Sequence, residues 1–252
     1  MMDGFLRPFI SNLDNFIMKF ADVIIIADDS RVTQINNNLE NDIITVNNTP
    51  EESLFKIKNK ITDDIREFKI FLGGKINEER GTDLIISAIK DMNDVQLIIK
   101  GFCSEDKYKN KLLSMIYNMK NVDMDLNGVP YNEITKNMLK ADLTIALYDP
   151  SIPNNKYASP NKLFESMASG IPIIVNDDTP MANIVKEENC GLIVPFENNN
   201  ALKQAILSIK NNQALQKKLG NNGRNAYKKK YNWTIMEKRL MGIYDQFAEL
   251  KT

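Results

Sequence analysis

The chain has 252 residues, 43% of them hydrophobic, which is enough for one large or two modest domains around a sizeable core. Its 32 Lys and Arg residues nearly balance 33 Asp and Glu residues, so no overall positive field favours nucleic acid as a partner. The sequence contains no histidine, which excludes the commonest general base, the commonest transition-metal ligand and histidine-containing catalytic triads.

The cysteines and the apolar runs indicate the compartment. Cys103 and Cys190 fit neither a zinc-binding spacing nor a disulfide framework, as expected in a reducing environment. No apolar run approaches the roughly 18 residues that span a bilayer, and the N-terminus lacks the features of a signal peptide. We therefore predict a cytoplasmic protein. The lysines at 228–230 leave open a peripheral contact with the inner face of the membrane, although lysines at a helix end are more often simply solvated.

The first 60 residues contain too little structure for a complete domain. In chain order they predict a helix, a strand, a helix and a strand, at residues 9–20, 23–27, 30–38 and 43–46. The polar stretch at residues 47–50 then breaks the pattern. Because two strands cannot bury two helix layers, we interpret residues 1–60 as the remnant of another domain with its linker.

From residue 68 onward, short apolar runs alternate with amphipathic stretches. The predicted strands are residues 68–72, 95–99, 122–126, 143–147, 171–175 and 192–194. Helical patterns occupy residues 81–92, 105–119, 131–140, 160–170, 179–188, 199–211, 213–229 and 233–250. The repeated order of strand and helix predicts an α/β fold with a doubly wound parallel sheet that is covered on both faces.

Three strand ends carry glycine beside a cation or an aromatic residue. Gly73-Gly74-Lys75 ends the first strand of this block, and Arg80-Gly81 follows, so two cations could converge on a diphosphate that the glycines let approach. Lys100-Gly101 ends the next strand. Gly128-Val129-Pro130-Tyr131 follows the third, where backbone groups and a ring could lie beside a base. Taken singly, each turn is also explained by tight packing and surface charge.

The fourth strand is followed by residues 159–165, with the sequence Ser-Pro-Asn-Lys-Leu-Phe-Glu. Pro160 suits the first turn of a helix, and the free N–H groups after it favour an anion. Lys162 could neutralise a phosphate, and Glu165, about one turn further, has the acceptor oxygens that bind sugar hydroxyls. Ligands bind outside the carboxyl ends of an open parallel sheet, so all four turns are predicted to face one ligand.

In this order, the motifs resemble those of the retaining GT-B glycosyltransferases of family 4. The resemblance covers roughly residues 20 to 250 and includes Ala141-Asp142-Leu143, Gly170-Ile171-Pro172, residues 219–224 and Tyr231-Asn232-Trp233. It implies a Rossmann-like half of a GT-B architecture with C-terminal helices. Residues 61–230 would be the nucleotide-sugar-binding domain, residues 1–60 the remnant of the acceptor-side domain, and residues 231–252 a helix that returns toward the N-terminal part.

The resemblance also implies the site residues. Lys75 and Arg80 would be the catalytic pair that grips the donor diphosphate. The donor-binding positions would be Gly73, Gly74, Lys100, Val129, Ser159, Pro160, Asn161, Lys162, Leu163 and Glu165. Glu165 matches the ribose-binding member of the family's glutamate pair, whereas Tyr157 stands where the first glutamate is expected. Part of the family carries a Pro-x-Lys-x-x-Glu pattern, which Pro160, Lys162 and Glu165 form here.

We therefore predict the donor-binding part of a hexosyltransferase that needs no metal or cofactor and uses a UDP- or GDP-linked sugar. Cations and helix-end amides would stabilise the departing diphosphate. The expected role is surface polysaccharide or glycolipid synthesis, and the expected partner is an acceptor domain, either on a longer chain or on a separate polypeptide. The alternative is a non-catalytic nucleotide-sugar-binding or scaffold subunit.

Three other enzyme classes fit the sequence less well. A GT-B epimerase would need acid and base side chains from two domains, and a phosphorylase a pyridoxal lysine, and neither set can be located. A Rossmann dehydrogenase is disfavoured because no Gly-x-Gly-x-x-Gly follows a strand.

Overall fold

A computed structural model describes residues 10, 12–14, 16–35, 42–55, 67–158 and 161–249 of the chain. The chain forms two compact units, one of residues 1–48 with 234–252 and the other of residues 49–233. The larger unit therefore begins before the boundary predicted at residue 60. The physical reason is Phe55, which is fully buried in the core of the larger unit.

The helices and strands follow the predicted order closely. The strands are β1 (Val23–Ile26), β2 (Asp42–Thr45), β3 (Phe68–Lys75), β4 (Val95–Phe102), β5 (Val122–Asp125), β6 (Leu143–Ala146), β7 (Ile173–Asn176) and β8 (Gly191–Val194). The helices are α1 (Thr82–Ile89), α2 (Asp106–Ile116), α3 (Tyr131–Lys140), α4 (Asn161–Ser169), α5 (Pro180–Glu188), α6 (Asn199–Lys210), α7 (Gln213–Ala226) and α8 (Trp233–Glu249). The described residues between 10 and 18 are also helical.

The larger unit is built on a six-stranded parallel sheet with the order β5-β4-β3-β6-β7-β8. The chain runs from β3 through β4 to β5 at one edge, then returns to β6 and continues outward to β8. The direction of winding thus reverses between β3 and β6. The two connections diverge there and leave a crevice at the carboxyl ends of the strands. The predicted doubly wound parallel sheet is confirmed.

Both faces of the sheet are buried, as the apolar strands predict. Along β3, Ile70 and Leu72 pack in one hydrophobic cluster with α1, α2 and α6, whereas Phe71 packs in the other with α3, α4 and α5. This alternation follows from the two-residue repeat of a strand. Each fully buried side chain of this size stabilises the fold by about 1.5–3 kcal/mol. The strand ends are therefore held on a well-packed frame.

The smaller unit contains the parallel pair β1 and β2 together with the C-terminal helix α8. Arg239 of α8 donates from Nη1 to the carbonyl oxygen of Thr45 at 3.3 Å. The helix predicted at residues 30–38 is a 3-10 helix, Asp29–Gln34, and residues 36–38 lie outside the described part. The Asp28 carboxylate accepts from the Ser30 N–H at 2.9 Å and caps this short helix.

The end of α7 differs from the regular helix predicted for residues 213–229. After Ala226 the chain continues as a π-helix, Tyr227–Tyr231, in which Tyr227 is fully buried and donates its hydroxyl to the Pro50 carbonyl at 2.6 Å. Lys230 of the lysine triplet pairs with Glu187 and Glu188 at 3.0 and 2.7 Å. Within the described part of the chain, no helix is both long and apolar enough to cross a bilayer.

Candidate functional site

The glycines at the ends of β3 and β4 leave no room for a side chain between these two strands at Gly101. A Cβ atom on Gly101 would lie 1.9 Å from the Gly74 carbonyl oxygen, so no side chain fits at position 101. Gly74 has a φ of +94°, a conformation that L-residues with side chains rarely adopt. A Cβ on Gly74 would have only the Lys162 Cε atom near it, at 3.8 Å. The Gly74 backbone is therefore open on the side that faces Lys162.

Lys162 lies at the second position of α4 and is half-buried. Burial, and to a smaller extent the nearby Arg80 guanidinium, lower the pKa of its ammonium group to about 8, while Glu165 opposes both effects. Lys162 makes no hydrogen bond or ion pair with any described residue. Apart from the electrostatic effect of Glu165, its charge is therefore free to interact with an anionic ligand.

Arg80 comes to the same place from the 3-10 turn Glu78–Arg80, which follows β3. Its guanidinium carbon lies 3.6 Å from the ring centroid of Tyr148, which follows β6. The Asp149 N–H donates to the Glu79 carbonyl at 3.0 Å and fastens the two loops together. Burial raises the pKa of Tyr148 to about 12, so the ring beneath the arginine keeps its proton.

One guanidinium nitrogen of Arg80, Nη1, is buried and has no hydrogen-bond partner among the described residues. A buried N–H of a charged group without a partner is costly, because it has lost its water and gained nothing in return. Arg80 and Lys162 also repel each other, as the lowered pKa of Lys162 shows. Two such cations beside an open glycine backbone form a site for an anion with several oxygens.

Glu165 lies about one turn after Lys162 on α4 and is only 6% exposed. Its Oε1 accepts a hydrogen bond from the Tyr131 hydroxyl at 2.7 Å. Burial raises the pKa of the Glu165 carboxyl, and the Tyr131 hydrogen bond and the Lys162 charge oppose this rise. Burial also raises the pKa of Tyr131, so its hydroxyl remains a donor. A buried carboxyl group is thereby held near Lys162.

The structure thus brings four of the predicted site residues together. These are Gly74, Arg80, Lys162 and Glu165, from β3, the turn after it and α4. The two tyrosines that complete the cluster come from other elements. The sequence did not predict Tyr148 as a site residue. For Tyr131 it left two roles open, packing in the core or contact with a nucleotide base.

The other predicted positions have different surroundings. Lys75 is exposed at the end of β3 and makes no hydrogen bond or ion pair with the described residues. Lys100 pairs with Asp123 of the neighbouring strand at 2.7 Å. Leu163 is fully buried in the core, so only its backbone can face a ligand. Their roles remain predictions.

The remaining predicted donor-binding positions are Gly73, Val129, Asn161, Ser159 and Pro160. Gly73 faces the Phe71 ring and Ile134, and a Cβ there would lie 2.9 Å from the ring. Val129 is half-buried against the core, and Asn161 is exposed at the start of α4. Ser159 and Pro160 lie outside the described residues, so the predicted proline start of α4 is untested.

Within the described ranges, no three Cys, Asp or Glu side chains gather as they would around a metal ion. Metal independence stays a prediction, because it concerns the reaction rather than this arrangement of side chains.

The doubly wound sheet and its cation-bearing edge define a Rossmann-like α/β protein of the GT-B type. The chain belongs to the family described as glycosyl transferases group 1, whose model matches residues 53–226. It is 27% identical over 231 residues to an uncharacterized glycosyltransferase of Methanocaldococcus jannaschii, across 91% of this chain and 60% of that protein.

Solved structures with the same fold include a sucrose-phosphate synthase and the protein HepE. Sucrose-phosphate synthase of Thermosynechococcus elongatus matches with a TM-score of 0.79 and 16% identity, over 99% of this chain and 65% of that one. Anabaena HepE, in complex with UDP and glucose, matches with a TM-score of 0.76 and 14% identity, over 95% of this chain and 66% of that one. The chain therefore spans less than two thirds of the Methanocaldococcus relative and of the synthase.

Proposed function

We propose that this chain is the donor-binding part of a retaining family 4 glycosyltransferase that uses a UDP- or GDP-linked hexose. The observation that supports this most directly is the meeting of Arg80 and Lys162 beside Gly74, where no carboxylate of a described residue forms an ion pair with either cation. A diphosphate supplies the charge and the acceptor oxygens that such a pair requires. Glu165, one turn along α4, then lies where the ribose hydroxyls of the same ligand would be.

In the proposed reaction the bond between the anomeric carbon and the diphosphate oxygen breaks, and its electron pair stays with the diphosphate. The acceptor hydroxyl oxygen forms the new bond to that carbon, and its proton passes to an oxygen of the leaving diphosphate. Arg80 and Lys162 would stabilise the charge that grows on the leaving diphosphate, a kind of interaction worth about 3–4 kcal/mol when one donor is removed. No protein nucleophile is needed for this role.

The acceptor and its pathway are further parts of the proposal. We propose a saccharide or lipid-linked acceptor in surface polysaccharide or glycolipid synthesis, in the cytoplasm or at the inner face of the membrane. A second domain would form the acceptor wall, on a longer chain or on a separate polypeptide. The length of the chain supports this, since it spans 60% of the Methanocaldococcus relative.

A second candidate is a subunit that binds a nucleotide sugar but does not catalyse transfer. Tyr157 favours it, because this half-buried residue of the turn Asn155–Tyr157 stands where the family resemblance expects a glutamate near the transferred sugar. Retained donor binding with lost chemistry would leave Arg80, Lys162 and Glu165 in place.

Calorimetry with UDP, GDP and their hexose derivatives tests both candidates. The proposal expects binding of at least one nucleotide, unchanged by a chelator. Binding without release of the sugar, even when extract from the source cells supplies acceptors, would favour the non-catalytic subunit. No binding of any of these nucleotides at millimolar concentration would overturn both and leave only a scaffold.

A further inference from the structure

We infer that Tyr131 is a positioning residue, which holds the Glu165 carboxylate in the orientation that receives the ribose of the bound nucleotide. The inference rests on the proposed function, since it names a further residue of the same donor site. Its structural basis is the 2.7 Å hydrogen bond from the Tyr131 hydroxyl to Glu165 Oε1. The other carboxylate oxygen, Oε2, accepts no hydrogen bond from the described residues and is left for the ligand.

The two residues come from different strand ends. Tyr131 is the first residue of α3 and follows the turn after β5, whereas Glu165 lies on α4, after β6. Tyr131 as a whole residue is 45% exposed, although its hydroxyl reaches a buried carboxylate. A ring that served packing alone would be expected to bury its faces. The Tyr131 side chain instead remains at the edge of the sheet, and its hydroxyl donates a hydrogen bond to Glu165.

The charges around Glu165 explain why a donor is needed there. The carboxylate is faced by Tyr131 from α3, by Tyr148 from the end of β6 and by Lys162 from its own helix. Arg80 in turn faces Tyr148 and Lys162. Burial favours the protonated acid, and among the described residues Tyr131 and Lys162 oppose it. Without the tyrosine hydroxyl, the carboxylate loses both a fixed direction and part of its stabilisation.

The decisive variant is Tyr131→Phe, which removes the hydroxyl and keeps the ring. We expect it to weaken UDP and GDP binding about tenfold, the usual effect of losing a hydrogen bond to a charged group. Tyr117→Phe is the matched control, because Tyr117 is 85% exposed and lies at the end of α2. The control should bind as the wild type does, and pyrophosphate binding should be unchanged in both variants.

Two readouts separate positioning from a structural effect. The wild type should prefer UDP over 2′-deoxy-UDP and 3′-deoxy-UDP by about tenfold, and Tyr131→Phe by less than about threefold, because the carboxylate no longer points at the ribose. This ratio is measured on folded molecules only, so it holds even if the variant is less stable. The affinity should also begin to fall at a higher pH in Tyr131→Phe as the solution is acidified, since Glu165 then protonates more easily.

A double-mutant cycle with Glu165→Ala completes the test. If Tyr131 acts through Glu165, adding Tyr131→Phe to Glu165→Ala should cost less than about twofold in affinity. An equal loss in both backgrounds, or wild-type ribose preference in Tyr131→Phe, would overturn the inference while the proposed function stands. A wild-type chain that binds neither UDP nor GDP would overturn both.

Discussion

Half-buried cations in two parts of the larger unit differ in one respect. Lys100, Lys210 and Arg224 have side chains that are only 16–18% exposed, and each is paired with a carboxylate, of Asp123, Asp94 and Glu52 respectively. Arg80 and Lys162, at the carboxyl edge of β3 and β6, are also half-buried, yet neither forms an ion pair with a carboxylate in the part of the chain that the structure describes. The proposed function assigns the charge of Arg80 and Lys162 to a bound anion rather than to a carboxylate of the protein.

The substitution Arg80→Ala tests this comparison, and we expect it to have the largest effect on nucleotide affinity. Removing one of two cations that face the diphosphate should weaken UDP and GDP binding about a hundredfold, or about 3 kcal/mol. Uridine and guanosine, which lack the diphosphate, should bind almost as before. Isothermal titration calorimetry measures both ligands, and an equal loss for nucleoside and nucleotide would contradict the assignment of Arg80 to the diphosphate.

Arg224→Ala is the matched control for that experiment. Arg224 also lies over a tyrosine ring, that of Tyr227, but it pairs with Glu52 and donates to the Ala168 carbonyl. Its removal should leave nucleotide affinity within about twofold and lower the free energy of unfolding by roughly 1–2 kcal/mol. Calorimetry should therefore show a large loss of nucleotide affinity for Arg80→Ala, whereas thermal denaturation should show the loss of stability expected for Arg224→Ala.

Glu165→Ala should have the next largest effect, and on both kinds of ligand. Because its carboxylate is assigned to the ribose, nucleoside and nucleoside diphosphate should each lose roughly thirtyfold in affinity, or about 2 kcal/mol. Glu133→Ala is the control, since Glu133 lies on α3 and pairs only with Lys136 on the surface. A loss confined to the diphosphate would move Glu165 out of the ribose site.

Lys162 predicts a pH dependence that paired lysines do not share. Its pKa in the free protein is about 8. Below that pH it is already charged, whereas above it an anion must bind together with a proton, so affinity should fall by up to about tenfold per pH unit. Calorimetry in buffers of different ionisation enthalpy would detect the proton uptake, and Lys162→Met should abolish it. A flat profile in the wild type would show that Lys162 does not face the anion.

Lys75→Ala should have the smallest effect on affinity. It tests the role predicted for Lys75 from the sequence against the exposed position of this side chain in the structure. Lys75 was predicted as half of the catalytic pair, but it is exposed at the strand end. A solvated cation near an anion contributes little, so we expect about a threefold loss of diphosphate affinity. A loss as large as that of Arg80→Ala would mean that Lys75 folds over the bound ligand.

Much of the fold was predictable because each buried strand is a short apolar run between helical patterns. All six strands of the larger sheet were placed within a few residues. The 3-10 helix at Asp29–Gln34 was mistaken for the start of an α-helix, since both have similar spacing over one turn. The π-helix after Ala226 has no local signal, because it depends on the burial of Tyr227 against Pro50.

The site was predictable in position but not in its contacts. The rule that ligands bind at the carboxyl ends of parallel strands placed Gly74, Arg80, Lys162 and Glu165 at one edge. The sequence could not show which cations have acid partners, because such pairs depend on the register of neighbouring strands. Lys100, for example, is paired by Asp123 of β5. Nor could it show that Tyr148 lies under Arg80, since the two residues come from separate loops.

The unpaired charge of Arg80 and Lys162 has a consequence for turnover in the proposed reaction. A nucleoside diphosphate carries more negative charge than the sugar nucleotide from which it is released, so the spent product would be held more firmly than the incoming substrate. Release of the nucleoside diphosphate would then be the rate-limiting step of each catalytic cycle. The rate of the proposed reaction would then depend on the ratio of nucleotide sugar to free nucleoside diphosphate in the surroundings, and it would fall whenever that ratio fell.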